Sequence, residues 1–301
     1  MEKRQLGKTG LKVSRLGVGL AEIGFQLNID QVYEASKVLN TALDNGINFL
    51  DTSACYGISE ELIGQTVAHR RAEYVLATKC GHVAGDYEGE SWTAQTVTDS
   101  IDRSLRRMRT DHIDLIQLHS CDVDVLERGE VIAALLDAQD AGKVRFLGYS
   151  GDNAPAMWAV ESGYFDTLQT SFNVADQKAR YALLPKAEAA GMGIIAKRPI
   201  ANTAWGATRA PSDYARPYFE RAEAMRAMGP LPMMPNHRIL LALGFTLAHD
   251  AVDTVIVGTR NPRHMQMNID WVENDLPLAV DTVDELHRRF DELGEDWEQK
   301  G

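Results

Sequence analysis

An acid, a phenol, an ammonium and an imidazole recur through the first half of this chain: Asp51, Tyr56, Lys79 and His119. A phenol at its ordinary pKa of about 10 is a poor proton donor or base near neutrality. A neighbouring cation stabilises phenolate and lowers that value. Lys79 can supply the cation, and Asp51 can keep it charged and oriented. Tyr56 would then serve as a general acid in one direction and a base in the other. His119 could hydrogen-bond a carbonyl oxygen, polarising it and fixing its position. Each residue alone is weak evidence. A single Lys or Asp at a strand end is most often a solvated rim charge, and a lone buried His most often a structural hydrogen bonder. The case rests on four reactive types converging at three neighbouring strand ends.

Convergence needs elements that carry these residues to one rim. Short β-branched apolar runs alternate with longer amphipathic stretches, the pattern of parallel βα units. Glycines at 7 and 10 bracket Lys8-Thr9, which suggests a hairpin before the first barrel strand at 15–20. Further strands are expected at 48–51, 74–79, 113–119, 144–150, 167–171, 193–197 and 254–258. Helices are expected at 30–44, 59–69, 93–108, 130–141, 154–162, 178–190 and 236–249, with two more at 262–272 and 282–293. Eight strands, each followed by a helix, fit a closed barrel better than an open doubly wound sheet. The open sheet would carry G-x-G-x-x-G after its first strand, and Gly17-Val18-Gly19-Leu20-Ala21-Glu22 breaks that pattern at Glu22. The expected fold is α/β: one (β/α)8 TIM barrel over 1–301 with an N-terminal β-hairpin and extra C-terminal helices. Its active site lies where strands end and βα loops begin. Strands two, three and four are consecutive and therefore neighbours, which brings Asp51, Lys79 and His119 together. The longest irregular stretch, 200–235, contains Trp205, Pro211, Pro217 and Pro230 and is expected to form a lid.

A net charge of −12 argues against nucleic acid as a partner, since phosphate binding needs a basic surface. A small anionic ligand needs only a local cationic patch. Three cysteines make no disulfide framework, and their spacing makes no zinc motif. The start, MEKRQLGKTG, has no apolar signal region, and no apolar run reaches the ~18 residues of a membrane span. A cytoplasmic protein is expected, monomeric by default and without a metal.

Several runs together resemble the aldo-keto reductase family. They are Asn48-Phe49-Leu50-Asp51-Thr52-Ser53-Ala54-Cys55-Tyr56-Gly57-Ile58-Ser59-Glu60, Leu76-Ala77-Thr78-Lys79 and Asp114-Leu115-Ile116-Gln117-Leu118-His119. The opening hairpin, the GK-x-R-x-x-G-x-S run from Gly142 to Ser150 and Gly258-Thr259-Arg260-Asn261-Pro262-Arg263-His264 also fit, so the likeness extends from about residue 3 to 275. The resemblance implies a (β/α)8 barrel that uses NADP(H), with Asp51, Tyr56, Lys79 and His119 as the catalytic four. The reaction it implies is NADPH-dependent reduction of an aldehyde, ketone or sugar carbonyl. It also implies that Ser150 and Gln169 hold the nicotinamide amide. The usual Asn after Ser is replaced by Gly151, with Asn153 two residues on. Where the family often places an aromatic against the nicotinamide stands Lys197, beside Arg198 and Pro199. Trp205 is one candidate for the missing stacking group, and Lys197 or Arg198 could instead bind the pyrophosphate. The 2′-phosphate falls to Gly258, Thr259, Arg260 and the helix beginning near Pro262, whose N-terminus favours anions. Arg263 and His264 add to that patch, and Asn268 matches an adenine contact. A cluster of cations favours NADPH over NADH, because a 2′-phosphate rewards arginine and a bare hydroxyl does not.

Cys55, Cys80 and Cys121 read as small buried fillers, with Cys80 turned away from Lys79 by strand alternation. Trp92 and Trp205 could line a substrate pocket or simply pack loops. The acidic run at 291–298 reads as a solvated helix face. Two competing functions remain: a non-catalytic NADPH-binding sensor or partner subunit on the same barrel, and a metal-dependent hydrolase or lyase using Asp51. Intact Tyr56, Lys79, Asp51 and His119 argue against the first, and the lack of a His/Asp ligand cluster at the strand ends argues against the second.

Overall fold

The computed structural model describes residues 1–300. A two-stranded antiparallel hairpin, β1 (Lys3–Gln5) and β2 (Lys12–Ser14), precedes eight parallel strands. These are β3 (Leu16–Gly19), β4 (Phe49–Asp51), β5 (Val75–Cys80), β6 (Ile113–His119), β7 (Val144–Ser150), β8 (Thr167–Ser171), β9 (Gly193–Lys197) and β10 (Thr254–Gly258). They close in sequence order, with β10 pairing back onto β3. The helices are α1 (Ala21–Gln26), α2 (Val32–Asp44), α3 (Ser59–Thr66), α4 (Ala94–Met108), α5 (Val123–Arg128), α6 (Glu130–Asp140), α7 (Asn153–Ser162), α8 (Leu183–Ala189), α9 (Arg216–Ala227), α10 (Arg238–Leu247), α11 (Pro262–Asn274) and α12 (Val280–Leu293).

Strand alternation sorts the side chains into two cores. Leu50, Leu76, Ile116, Leu118, Leu147, Leu168, Ile194 and Val255 point outward and pack beneath the helices. Their sequence neighbours Phe49, Val75, Ala77, Leu115 and Ile195 point into the barrel. There they meet Leu6, Leu11 and Val13 of the hairpin, which therefore closes the N-terminal end of the barrel with apolar surface. One step higher on the same inward faces the residues become polar: Asp51, Lys79, Gln117, Ser150 and Gln169, all buried. The period of two thus fixes both the dry floor and the polar mouth.

Where the expectations missed, local physics explains the difference. The stretch 200–235 is not wholly irregular: α9 lies within it, started by Pro217 in its first turn. The expected helix at 178–190 is divided into a 3₁₀ turn, Lys178–Tyr181, and α8. The helix expected to reach 69 ends at Thr66, and a 3₁₀ turn carries the chain on. The short α1 and α5 were not anticipated, being too brief for a periodic signal. Thr93 does cap α4, accepting from the Thr96 N–H.

Candidate active site

Polar side chains meet at the C-terminal mouth of the barrel in a groove of about 460 Å³, whose walls include Asp51, Tyr56, His119, Ser150, Gln169, Lys197 and Arg198. It continues past Ile200, Thr203, Val257 and Gly258 into a second hollow of about 320 Å³ that reaches His264, Asn268 and Trp271. A cavity of about 610 Å³ lies at the opposite end of the barrel. Its ionic groups are matched to each other, the N-terminal amine to Glu273 and Arg4 to Asp250. Volume alone therefore does not locate the chemistry.

The deepest feature of the mouth is an ion pair. The Lys79 ammonium donates to Asp51 Oδ2 at 2.6 Å and to the Thr52 carbonyl at 3.0 Å. Both side chains are essentially sealed from solvent. Asp51 Oδ1 accepts from Gln117 Nε2 at 3.1 Å and from Gln169 Nε2 at 2.8 Å. Such satisfaction is what allows a charged pair to be buried at all. Burial pulls the Lys79 ammonium down, but Asp51 and then Tyr56 outweigh it and hold the group above its ordinary value. Two of three ammonium N–H groups are thus used, and the Lys79 nitrogen stands 5.1 Å from the centre of the Tyr56 ring.

Tyr56 sits on a turn held by close backbone approach. A Cβ on Gly24 of α1 would lie 2.0 Å from the Tyr56 carbonyl oxygen, and Gly57 has a left-handed φ of +52°. Only glycines let α1 press on this turn. Burial pushes the Tyr56 phenol up and Lys79 pulls against it, with a net rise. The sequence argument anticipated a net lowering; the enclosure of the ring reverses the sign. A phenol in this state is protonated at neutral pH. The His119 ring meets the Tyr56 ring edge-on, centroids 5.7 Å apart. Burial, then Lys79, His82, Lys197 and Arg198, hold His119 well below its ordinary value, so the imidazole is neutral. Its Nδ1 lies 3.3 Å from Ser53 Oγ and 3.4 Å from Cys55 Sγ.

The other expected site residues divide. Ser150 Oγ donates to Gln169 Oε1 at 3.0 Å, so these two side chains form one chain of bonds with Asp51. Lys197 lines the groove, paired at 2.8 Å with buried Asp152. Arg198 lines it too, over the ring of Tyr214 at 4.9 Å. Gly258, Thr259, His264 and Asn268 line the second hollow. Arg260 is exposed and does not form part of either wall. Asn153 bonds to Gln299 rather than facing the groove. Trp205 is buried in the core, which removes it as a stacking group or pocket wall. Trp92 packs edge-on against His82, which in turn meets His119. Cys80 is buried on the outward face of its strand, and burial pushes the Cys121 thiol up to about 12. The stretch 200–235 contributes Asn202, Thr203, Ser212 and Tyr214 to the groove wall. Arg198 just before it and Ala201, Asn202 and Thr203 within it all have left-handed φ, a concentration of backbone strain of the kind found at binding sites.

Sequence reasoning missed Gln117, Asp152, Glu22, Arg238 and Trp271. Gln117 was detectable as the inward residue two before His119. Arg238, which donates to the Thr203 and Trp205 carbonyls beside the second hollow, carries no local signal. No cluster of three or more potential metal ligands occurs among the described residues. No helix among them is long and apolar enough to cross a membrane.

Comparison with known proteins gives a consistent picture. A profile of the Aldo/keto reductase family matches residues 15–288. L-galactose dehydrogenase of Arabidopsis thaliana is 29% identical over 294 residues, covering 93% of this chain and 91% of that protein. NADH-specific methylglyoxal reductase of Escherichia coli is 24% identical over 334 residues, covering 96% of this chain and 100% of that protein. The holo form of an aldo-keto reductase from Bacillus halodurans superposes with a TM-score of 0.82 at 26% identity, covering 96% of each chain.

Proposed function

The chain belongs to the aldo-keto reductase family, and from that premise we propose that it reduces an aldehyde, ketone or sugar carbonyl, reversibly, with NADPH as reductant and Tyr56 as proton donor. The observation that carries the reading is the buried Asp51–Lys79 pair set against the Tyr56 ring at the mouth of the barrel, with neutral His119 alongside. A nicotinamide cofactor fits the groove by its length in two joined hollows and by its donors. Ser150 and Gln169 offer both a hydroxyl and an amide, the complement of a carboxamide. Gly258, Thr259 and the start of α11 would hold the adenosine end, with His264, Asn268, Arg238 and exposed Arg260 near enough in sequence or space to favour a 2′-phosphate. When bound, the reduced nicotinamide supplies a hydride to the carbonyl carbon. Tyr56 gives its hydroxyl proton to the carbonyl oxygen, and Lys79, kept charged by Asp51, stabilises the phenolate left behind. His119, uncharged, directs an N–H at the same oxygen. Tyr214, exposed on the groove wall under Arg198, is the aromatic that could take the stacking place Trp205 does not fill.

The test is loss of NADPH absorbance with a panel of activated aldehydes, ketones and aldoses, run in parallel with NADH. Tyr56→Phe should bind NADPH with unchanged affinity and lose about 100- to 10,000-fold in kcat, the usual contribution of a positioned general acid. Near-normal turnover by that variant would refute the assignment. Tight NADPH binding by the native protein with no turnover of any carbonyl would favour the sensor reading instead.

A further inference from the structure

His119 is neutral, so one ring nitrogen carries a proton and the other a lone pair, and which is which decides whether it can donate to a carbonyl oxygen. Ser53 Oγ and Cys55 Sγ stand 3.3 and 3.4 Å from Nδ1 and are its hydrogen-bond neighbours among the described residues. Ser53 is buried, and its oxygen already accepts the Cys55 backbone N–H at 3.4 Å. Its hydroxyl proton therefore has two destinations, His119 Nδ1 or Cys55 Sγ, the latter 3.1 Å away. A thioether or thiol sulfur is a weak acceptor and an imidazole lone pair a strong one. Nδ1 has one lone pair, which takes the hydroxyl proton, and the thiol hydrogen then turns to Ser53 Oγ at 3.1 Å. Both donors are satisfied when Nδ1 is an acceptor.

We propose that Ser53 and Cys55 are positioning residues that lock His119 in the tautomer with its proton on Nε2, the nitrogen left to the groove. The reverse tautomer would aim an N–H at Ser53 Oγ, confine the hydroxyl proton to sulfur, and present a lone pair to the substrate oxygen. A lone pair there repels the carbonyl oxygen rather than polarising it. The pair works through His119 and touches no substrate. The catalytic consequence rests on the reductase reading; the tautomer itself does not.

The experiment is ¹⁵N NMR of histidine-labelled protein, with the His119 signals assigned by their loss in His119→Gln. Pyrrole-type and pyridine-type nitrogens resonate far apart, so the tautomer is read directly and without turnover. The native protein should show a pyridine-type Nδ1 and a protonated Nε2. Ser53→Ala with Cys55→Val should give a mixture of tautomers. kcat should fall in proportion to the share of His119 that moves its proton to Nδ1, about twofold for an even mixture, with NADPH affinity unchanged. Ser53→Thr, which keeps the hydroxyl, should restore the native tautomer in the Cys55→Val background. The single variants serve if the double one fails to fold. A native protein with its proton on Nδ1 would overturn the proposal, as would a double variant with unchanged tautomer and turnover. A native protein that shows the expected tautomer yet reduces no carbonyl would defeat the reductase reading and leave the tautomer assignment standing.

Discussion

Replacing Asp51 by Asn tests whether the buried ion pair organises the mouth of the barrel. The carboxylate accepts from Lys79 at 2.6 Å, from Gln169 at 2.8 Å and from Gln117 at 3.1 Å. Asparagine keeps the shape but turns one oxygen into a donor. With its oxygen toward the two glutamine amides, its NH₂ faces the Lys79 ammonium. Flipped, it faces the amides. Either way a donor meets donors: in the first arrangement the ammonium keeps only the Thr52 carbonyl at 3.0 Å, and in the second both glutamine amides lose their acceptor. Removing one partner of a buried pair costs about 3–5 kcal/mol. There is also a ceiling. Lys79 can escape by losing its proton, which from its ordinary value of 10.5 costs about 5 kcal/mol at pH 7, at about 1.4 kcal/mol per unit. The two figures agree, so a loss near 4 kcal/mol is expected. At about 2 °C per kcal/mol for a large domain, the melting temperature should fall by about 8 °C. The pH dependence has a fixed sign. The folded-state pKa of Lys79 is raised, so its contribution is complete below about 10.5 and fades as pH rises through the folded value. The gap between native and variant should therefore hold through neutral pH and narrow above about pH 8, because the ceiling set by deprotonation falls by about 1.4 kcal/mol per unit toward 10.5. Calorimetry at several pH values measures it. A variant melting within about 2 °C of the native protein at pH 7 would refute the claim, because the smallest cost argued above is about 3 kcal/mol.

Two other outcomes follow from the groove. The pKa of His119 is depressed, so its stabilising neutral form is complete above 6.5 and stability is lost as pH falls below that value. NMR titration should therefore show no protonation of His119 between pH 8 and 6.5, and a midpoint at 6.5 or above would contradict the electrostatics. Glu22 rests against Gly258, where an added Cβ would strike its carboxylate, and the groove walls push its carboxyl upward. An acid there opposes an anionic cofactor by about 1 kcal/mol across a few ångströms of polar medium. Glu22→Gln should thus tighten NADPH binding several-fold at pH 8, measured by tryptophan quenching, with the gain shrinking at lower pH as native Glu22 protonates. Equal affinities at pH 8 would place the phosphates away from Glu22.

Much of this was written into local patterns. Strand alternation is a property of neighbouring residues, so the sequence alone sets Phe49 and Asp51, or Ala77 and Lys79, on one face of their strand. Adjacency of consecutive strands did the rest for Asp51, Lys79 and His119. The groove walls were less legible because they come from loops and distant segments. Lys197 was visible, but not that Asp152, from the turn after β7, would pair with it. Trp205 looked like a pocket residue because it sits in a Pro-rich stretch, yet packing claims it for the core. Asp114 belongs to a run that resembles the family, but it accepts from Arg71, Arg145 and the Leu76 N–H at the opposite end of its strand. It is a clamp between strands, and its place in a motif says nothing of catalysis.

The sharing of Asp51 has a consequence for how the two halves of the site relate. One of its oxygens fixes Lys79, which faces the proposed proton donor; the other fixes Gln169, which with Ser150 faces the proposed amide seat. A carboxylate bonded at both oxygens cannot rotate toward one partner without releasing the other. The position of the ammonium and that of the amide-binding pair are therefore set by a single rigid group rather than by two independent ones. Gln117 makes the constraint stricter, because its amide holds the same oxygen as Gln169 from the adjacent face. In a barrel whose inward layer is this closely bonded, alignment of a proton donor with a cofactor requires no closing motion of the strands. The strain lies instead in the loop after β9, where Arg198, Ala201, Asn202 and Thr203 take left-handed φ.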